Sequence, residues 1–216
     1  MSDIIRLLRH HFHTIAPAAA SALDNSTAEL SGNFSLTDPT ACSQCPRPDG
    51  CDKITMLIGS HTPVLIVRLA DAIGAMPQTM RDGLKNCDYL LCDAVENPGS
   101  RKVALCDLTC SNSKYLSASQ KYPGGKREYV VAQMLSTALF ISMHDVLWHS
   151  VQTATSRRFI FGMRVSDEKP TDQAARAMKM FALTPSSAAL QTESAQRIAD
   201  IHFKFVEVRY PSQLNW

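Results

Sequence analysis

Two aspartates in neighbouring strand-like segments have the clearest potential for chemistry in this sequence. Asp88 opens the segment CDYLLCDAV (87–95), and Asp107 lies late in KVALCDLTC (102–110). The intervening NPG is a strong turn signal, so the two segments are predicted to form an antiparallel hairpin. In that hairpin residues 88 and 107 lie almost opposite each other, and the Cβ atoms of such cross-strand neighbours are about 4.5–5.5 Å apart. Carboxylates this close repel each other unless a cation or a shared proton relieves them.

A divalent metal between the two carboxylates is the simplest relief, and oxygen ligands suit magnesium or manganese. Such a metal polarises a phosphoryl oxygen and supplies hydroxide for in-line attack, so the pair is typical of a phosphodiesterase. The alternative is that both aspartates face solvent or cap turns.

A basic segment follows the second aspartate directly. Between Asp107 and Glu128 the sequence contains no acid but includes Lys114, Lys121, Lys126 and Arg127. We expect residues 111–127 to bind phosphate or DNA beside the metal, although a solvated lysine loop is the ordinary alternative. Arg157 and Arg158 at a strand start would add DNA contacts, or they protect an exposed strand edge by their charge.

The cysteines fall into two groups. Cys87, Cys92, Cys106 and Cys110 lie in apolar strand-like surroundings, where a thiol usually behaves as a small buried hydrophobe. Cys42, Cys45 and Cys51 lie in the turn-rich segment CSQCPRPDGC and have the spacing of a zinc knuckle. The fourth ligand is left open among Cys110, His61 and Asp52, and an iron–sulfur cluster accepts the same thiolates. A zinc here would staple the segment structurally; otherwise these are incidental thiols in a loop.

The remaining pattern describes the elements that position these residues. An apolar stripe predicts a helix over 3–15, with its three histidines on an exposed flank, and residues 16–52 look irregular. From residue 63 an apolar run continues with helical spacing, and Pro77 either breaks that pattern or starts a second short helix. The hairpin, a long helix over 127–151 and a strand over 157–165 follow. Two further helices, in TDQAARAMKMFAL and SSAALQTESAQRIAD, precede a final strand over 201–210. We therefore expect an N-terminal extension, 1–62, and a single α/β domain, 63–216, with a mixed central sheet flanked by helices.

Composition restricts the class of protein. The 216 residues are 45% hydrophobic and 19% charged, which excludes a disordered or fibrous chain. No apolar stretch reaches the ~20 residues of a membrane span, and the N-terminus lacks the pattern of a secretory signal. A cytoplasmic protein is expected. The net charge of +2 combines a net −3 over residues 1–108 with a net +5 over 109–216, so the basic side is the C-terminal half.

Residues 63–165 resemble the PD-(D/E)XK nuclease-like superfamily. The resemblance rests on CDYLL before the hairpin, VALCDLT as its second strand, AQMLSTALF on the next helix and RRFIFGMRV as the closing strand. It implies a restriction-endonuclease-like core, metal binding by Asp88 and Asp107, and a site-facing Gln133. The lysine that the family places two residues after the second acid is Thr109 here. Lys114, Lys121 or Lys126 would then replace that lysine, and Glu128 would add a third acid.

Two functions remain open from the sequence. The resemblance implies a nuclease or nuclease-like protein that acts on or binds DNA with magnesium or manganese, in a bacterial defence (antiviral) or mobile-element system. The alternative is a non-catalytic, zinc-stapled binding or adaptor subunit, in which Thr109 marks an inactive relative. Such a subunit would work with a protein partner or as a homo-oligomer.

Overall fold

A computed structural model describes residues 2–39, 54–94, 100–112, 120, 122–164 and 190–216. The helices in these residues are α1 (Asp3–Ile15), α2 (Pro17–Asn25), α3 (Leu69–Gly74), α4 (Gln78–Arg81), α5 (Lys126–Ser142), α6 (Asp145–Gln152) and α7 (Thr192–Asp200). The strands are β1 (Thr27–Thr37), β2 (Ile54–Arg68), β3 (Tyr89–Asp93), β4 (Lys102–Asn112), β5 (Ser156–Arg164), β6 (Lys204–Tyr210) and β7 (Gln213–Asn215).

The seven strands of the described residues form one mixed sheet in the order β1-β2-β3-β4-β5-β6, with β7 paired to β2. The pairs from β1 to β4 are antiparallel. β5 lies parallel to β4, and β6 lies parallel to β5. The parallel step from β4 to β5 requires a crossover, which α5 and α6 supply. The expected α/β architecture with a mixed sheet and flanking helices is confirmed.

The larger core lies between the helices and one face of the sheet. Alternate residues of the central strands point to it, for example Leu90 on β3, Leu105 on β4 and Phe159 on β5. The helices contribute their apolar stripes, such as Leu8 and Phe12 of α1 and the buried side of α5. This face also carries the candidate site, because Asp88 and Asp107 occupy the same alternation as these residues.

The opposite face is covered by the sheet itself. The long strand β2 curls over it, so that Met56 lies against the position of Gly162 on β5. A Cβ at Gly162 would lie only 2.4 Å from Cδ2 of Leu108 and 3.4 Å from Cβ of Met56, which explains the glycine. The C-terminal strand β7 closes this side, and Trp216 donates from Nε1 to Oδ1 of Asp93 at 2.7 Å.

The predicted hairpin is confirmed in position and register. Tyr89 pairs with Cys106 and Cys92 with Val103, so the next pair outward is Asp88 with Asp107. The helix over 3–15 and the strands over 157–165 and 201–210 are confirmed in type, with boundaries shifted by a few residues at most. Cys87, Cys92 and Cys106 are buried and form no disulfide, as expected.

Two expectations are wrong, and a third is confirmed in part. The segment 16–52 is not irregular throughout, because α2 and β1 occupy 17–25 and 27–37. The apolar run after residue 63 is the second half of β2, which begins at Ile54 and passes through residues 62 and 63; the helical spacing after it is confirmed, because the short helices α3 and α4 follow on either side of Pro77. The helix over 127–151 is two helices, since His144 is extended and its Nδ1 accepts from the Leu147 N–H as the cap of α6.

The histidine prediction for α1 is also partly wrong. His11 is buried, with its ring 4.8 Å from that of Phe140 between centroids. Its Nε2 is buried without a hydrogen-bond partner among the described residues, and burial lowers the pKa of His11 below its usual value. None of the helices in the described residues combines the length and the apolarity needed to cross a bilayer.

Candidate functional site

One transverse row of the sheet brings the polar residues of the site together. Asp107 is in register with Phe161 of β5, and Phe161 with Glu207 of β6. Asp88 extends the row on the other side of Asp107, one position beyond the last pair of β3 and β4. Side chains in register share a face, so Asp88, Asp107 and Glu207 all lie on the helix-covered face.

Asp88 is buried, with 7% of its surface exposed. Its Oδ2 accepts a hydrogen bond of 2.7 Å from the backbone N–H of Leu108, so the carboxylate reaches the residue that follows Asp107. Burial raises the pKa of Asp88 to about 7 from an ordinary 3.8. The hydrogen bond from Leu108 opposes the rise in pKa, and the neighbouring charge of Asp38 adds to it.

Asp107 is still less accessible, at 3% exposure. Its Oδ2 is buried and has no hydrogen-bond partner among the described residues. Burial, and then the charge of Asp88, hold the pKa of Asp107 well above its usual range. An unpartnered buried carboxylate oxygen is costly, so this side chain needs a proton or a cation.

A third carboxylate, Asp38, lies beside the pair and was missed from the sequence. It follows β1 directly and is 7% exposed. The end of β1 is held in place because the Tyr89 hydroxyl donates to the Thr37 carbonyl at 3.0 Å and Arg68 donates to the Pro39 carbonyl at 3.2 Å. The charge of Asp38 raises the pKa of both Asp88 and Asp107. Its only sequence signal was an Asp-Pro turn in a segment that looked irregular.

Lys126 is the cation whose charge acts on both aspartates. It is the first residue of α5, after Gly125, whose φ of +89° is a conformation that suits glycine. The Lys126 charge lowers the pKa of Asp88 and of Asp107, against the larger effect of burial. Thr109 lies on the same face as Asp107, two residues along β4, and is buried.

Glu207, at the far end of the row, is fully buried in an ion-pair cluster. It accepts from Nε of Arg127 at 2.7 Å and from Nη2 of Arg209 at 2.6 Å. Burial alone would raise the pKa of Glu207, but the hydrogen bonds from both arginines outweigh it and hold the pKa below its usual value. Sequence reasoning missed this cluster, because Arg127 lies 80 residues from Glu207, although Arg209 is only two residues away.

The chain matches no family model, no curated protein and no solved structure. Its own geometry is therefore the basis for any function.

The structure does not bring all the predicted site residues to the acid pair. Gln133 lies on α5 and donates from Nε2 to the Asn86 carbonyl at 2.9 Å, so it holds the segment leading into Asp88. Glu128 turns away, because its carboxylate accepts from the backbone N–H of Gln191 at 2.8 Å and from the hydroxyl of Ser194 at the start of α7.

The two arginines of β5 lie toward the other end of the strand. Arg157 and Arg158 precede Phe161 by four and three residues, which is about 13 Å and 10 Å along a strand. Arg157 donates to the His202 carbonyl at 2.9 Å and to carbonyls at the end of α6, and Arg158 to the Asn215 carbonyl at 3.4 Å.

Several predicted site residues fall outside the described residues. These are Lys114 and Lys121 of the basic loop, Cys42, Cys45 and Cys51 with Asp52 of the cysteine segment, and the side chain of Cys110. Across the ranges that the structure does describe, no three His, Cys, Asp or Glu side chains are arranged as a metal-binding group. A cation at the acid pair would therefore rely on two protein carboxylates.

Proposed function

We propose that this chain is a nuclease-like protein that binds a divalent cation, Mg²⁺ or Mn²⁺, between Asp88 and Asp107 and acts on the phosphodiester backbone of DNA. The observation that carries the proposal is the buried Oδ2 of Asp107, which lacks a partner among the described residues and lies beside a second buried carboxylate. Two adjacent buried carboxylates repel each other, and a divalent cation removes the repulsion without a proton.

The donors present fit such a cation. Carboxylate oxygens are the ligands that Mg²⁺ and Mn²⁺ prefer, and Mg²⁺ is usually bound by one or two carboxylates together with water and substrate phosphate. Asp38 adds negative charge beside the pair without being required as a ligand. For zinc, we propose a separate structural site formed by the cysteine segment of the sequence.

The chain's own residues would orient and neutralise the substrate. When bound, the cation would supply Lewis-acid polarisation of a phosphoryl oxygen. Lys126 would replace the lysine that the resemblance expects at the position of Thr109, because the charge of Lys126 already acts on both aspartates. Gln133 positions Asp88 through Asn86. The proposal includes the bacterial defence or mobile-element system that the resemblance implies.

The test is metal binding and cleavage by matched variants. Calorimetric titration of Mn²⁺ should detect binding to the unmodified protein and no binding to Asp107→Asn. Asp145→Asn, the same chemical change at an exposed position of α6, should bind as the unmodified protein does. Single- and double-stranded DNA and RNA are then incubated with Mg²⁺ or Mn²⁺. Cleavage or Mn²⁺ binding that survives Asp107→Asn would refute the site.

A non-catalytic binding subunit is the second candidate. It is favoured by the buried Thr109 at the position where the resemblance requires lysine, and by exposed apolar side chains on α5 and α6, namely Leu139 and Val146. Leu139 lines a groove of about 430 Å³ between α5 and α7. Mn²⁺ binding without cleavage of any substrate would favour this function, and a zinc content near one per chain would support the stapled form.

A further inference from the structure

Two tyrosine rings and two lysines meet at the beginning of α5. The ring centroids of Tyr122 and Tyr129 are 4.9 Å apart, with the planes tilted by 57°. Nζ of Lys126 lies 4.8 Å from the first centroid and 5.3 Å from the second, and Nζ of Lys85 lies 5.8 Å from the Tyr129 centroid. Lys126 also donates to the Tyr122 hydroxyl at 3.4 Å. We call these four side chains the tyrosine–lysine cluster.

The cluster is open to solvent. Tyr129, a large aromatic residue in the first turn of α5, exposes 37% of its surface. Lys85 is exposed, and Tyr122 and Lys126 are half-buried. Both rings have a lysine ammonium group within 6 Å of their centroids. A flexible lysine exchanges easily between an aromatic face and a stronger anionic partner, because an exposed cation–π contact contributes only about 0.5–1 kcal/mol.

The cluster also borders the acid pair. Lys85 precedes Asp88 by three residues, which limits the separation of their Cα atoms to about 11 Å. That segment is fixed to α5, since the Ser136 hydroxyl accepts from the Lys85 N–H at 3.2 Å and Gln133 donates to the Asn86 carbonyl. The segment that leads into Asp88 is therefore joined to α5, the helix that carries Tyr129.

We propose that Tyr129 is a stacking subsite for an unpaired base of a single-stranded polynucleotide, with Lys85 and Lys126 binding the adjacent phosphates. Aromatic rings next to cations bind single strands, because each base offers an apolar π-face and each nucleotide carries a phosphate. In a duplex both faces of a base are already stacked on its neighbours, so the ring has no face to bind. This subsite names the substrate class of the proposed nuclease and rests on that proposal only for the chemistry at Asp88 and Asp107.

The test is binding without metal. Fluorescence anisotropy in EDTA compares single-stranded DNA, single-stranded RNA and duplex DNA of one length, with the unmodified protein and three variants. Tyr129→Ala should weaken single-strand binding by about 5- to 150-fold, the range for losing one stacked base. Tyr129→Phe keeps the ring and should bind normally. Met143→Ala, at a position directly after α5 that is 73% exposed, is the control for truncating an exposed side chain.

Two further readouts separate stacking from charge. A 2-aminopurine base in the strand should be quenched on binding by the unmodified protein and by Tyr129→Phe, and not by Tyr129→Ala. Replacing Lys85 and Lys126 together by alanine should reduce the slope of log K against log salt concentration by about 1.4, or 0.7 for each phosphate contact. The DNA and RNA arms identify which single strand is preferred.

The outcomes distinguish this subsite from the proposed cation site. Equal affinity of Tyr129→Ala and Tyr129→Phe, or tighter binding of duplex than of single strand, would overturn the subsite. Asp107→Asn should retain ring-dependent binding in EDTA, since that binding needs no cation. If ring-dependent binding persists while Mn²⁺ binding is absent, only the nuclease proposal fails. If Mn²⁺ binding and cleavage depend on Asp107 while Tyr129→Ala binds normally, only the stacking subsite fails.

Discussion

Replacing Asp88 by asparagine should make the protein more stable at neutral pH. The pKa of Asp88 is raised to about 7 from an ordinary 3.8, chiefly by burial. The folded chain therefore binds this proton more tightly than the unfolded chain does. The contribution of Asp88 to stability is complete below the unfolded pKa and is lost as the pH rises through about 7.

The size of the effect follows from that difference in pKa. At 1.36 kcal/mol for each pH unit, ionising Asp88 reduces the free energy of unfolding by about 4 kcal/mol above pH 7. Asparagine has nearly the same shape and never ionises, and its side-chain oxygen can still accept from the Leu108 N–H. Asp88→Asn should therefore match the unmodified protein near pH 4 and exceed its free energy of unfolding by up to about 4 kcal/mol at pH 8.

The assay is urea unfolding in EDTA at pH 4, 6 and 8, with Asp145→Asn as the matched exposed control. Other groups, such as Glu207 and His11, titrate in both proteins and cancel in the difference between variant and unmodified protein. Asp107 does not cancel, because the charge of Asp88 raises its pKa, so the difference reports the acid pair. With saturating Mn²⁺ at pH 8 the unmodified protein should regain stability, by about 2.7 kcal/mol at a concentration 100 times the Kd, and Asp88→Asn should not. A variant that is less stable than the unmodified protein at pH 8, or a gap that does not widen with pH, would refute the reasoning.

Three further substitutions test the packing and charges around the site. Gly162→Ala should lower the free energy of unfolding, measured with urea, by about 1–3 kcal/mol, because its Cβ would lie 2.4 Å from a β4 methyl group. Gly74→Ala, whose Cβ would have no atom within 4 Å, should not lower it. Equal effects of the two substitutions would contradict this packing. Glu207→Gln should cost about 2–3 kcal/mol at pH 7, and the loss should shrink as the pH falls, because the lowered pKa of Glu207 means that its contribution disappears in acid. His11→Phe should gain stability relative to the unmodified protein as the pH falls below about 6.5, since the lowered pKa of His11 makes its protonation favour the unfolded chain; a difference in Tm between the two proteins that does not change with pH would contradict this.

Local pattern was sufficient for the part of the site formed by the hairpin. The NPG turn signal and the period of two along the flanking strands restrict the register, so Asp88 and Asp107 were predicted as neighbours and their strands pair accordingly. The placement of Gln133 on the following helix was equally local, although its partner, the Asn86 carbonyl, was not predictable. The division of the long helix depended on one cap, which apolar periodicity does not reveal.

Charge and burial at the site depended on the tertiary structure. Most side chains of β1 are exposed, so its sequence lacks the apolar alternation that predicts a strand. Both β1 and the adjoining Asp38 were therefore missed. Glu128 looked like a third acid in the sequence, but the packing of α7 against α5 takes its carboxylate away from the site.

The sequence alone determined that two carboxylates face each other on adjacent strands and that lysines follow them, since these features need only turn chemistry and a period of two. Only the tertiary structure decided that the carboxylates are buried, that Lys126 is the described lysine whose charge acts on both, and that the exposed ring of Tyr129 lies next to that lysine. Burial arises when distant segments close over a site, and no short-range pattern carries that information.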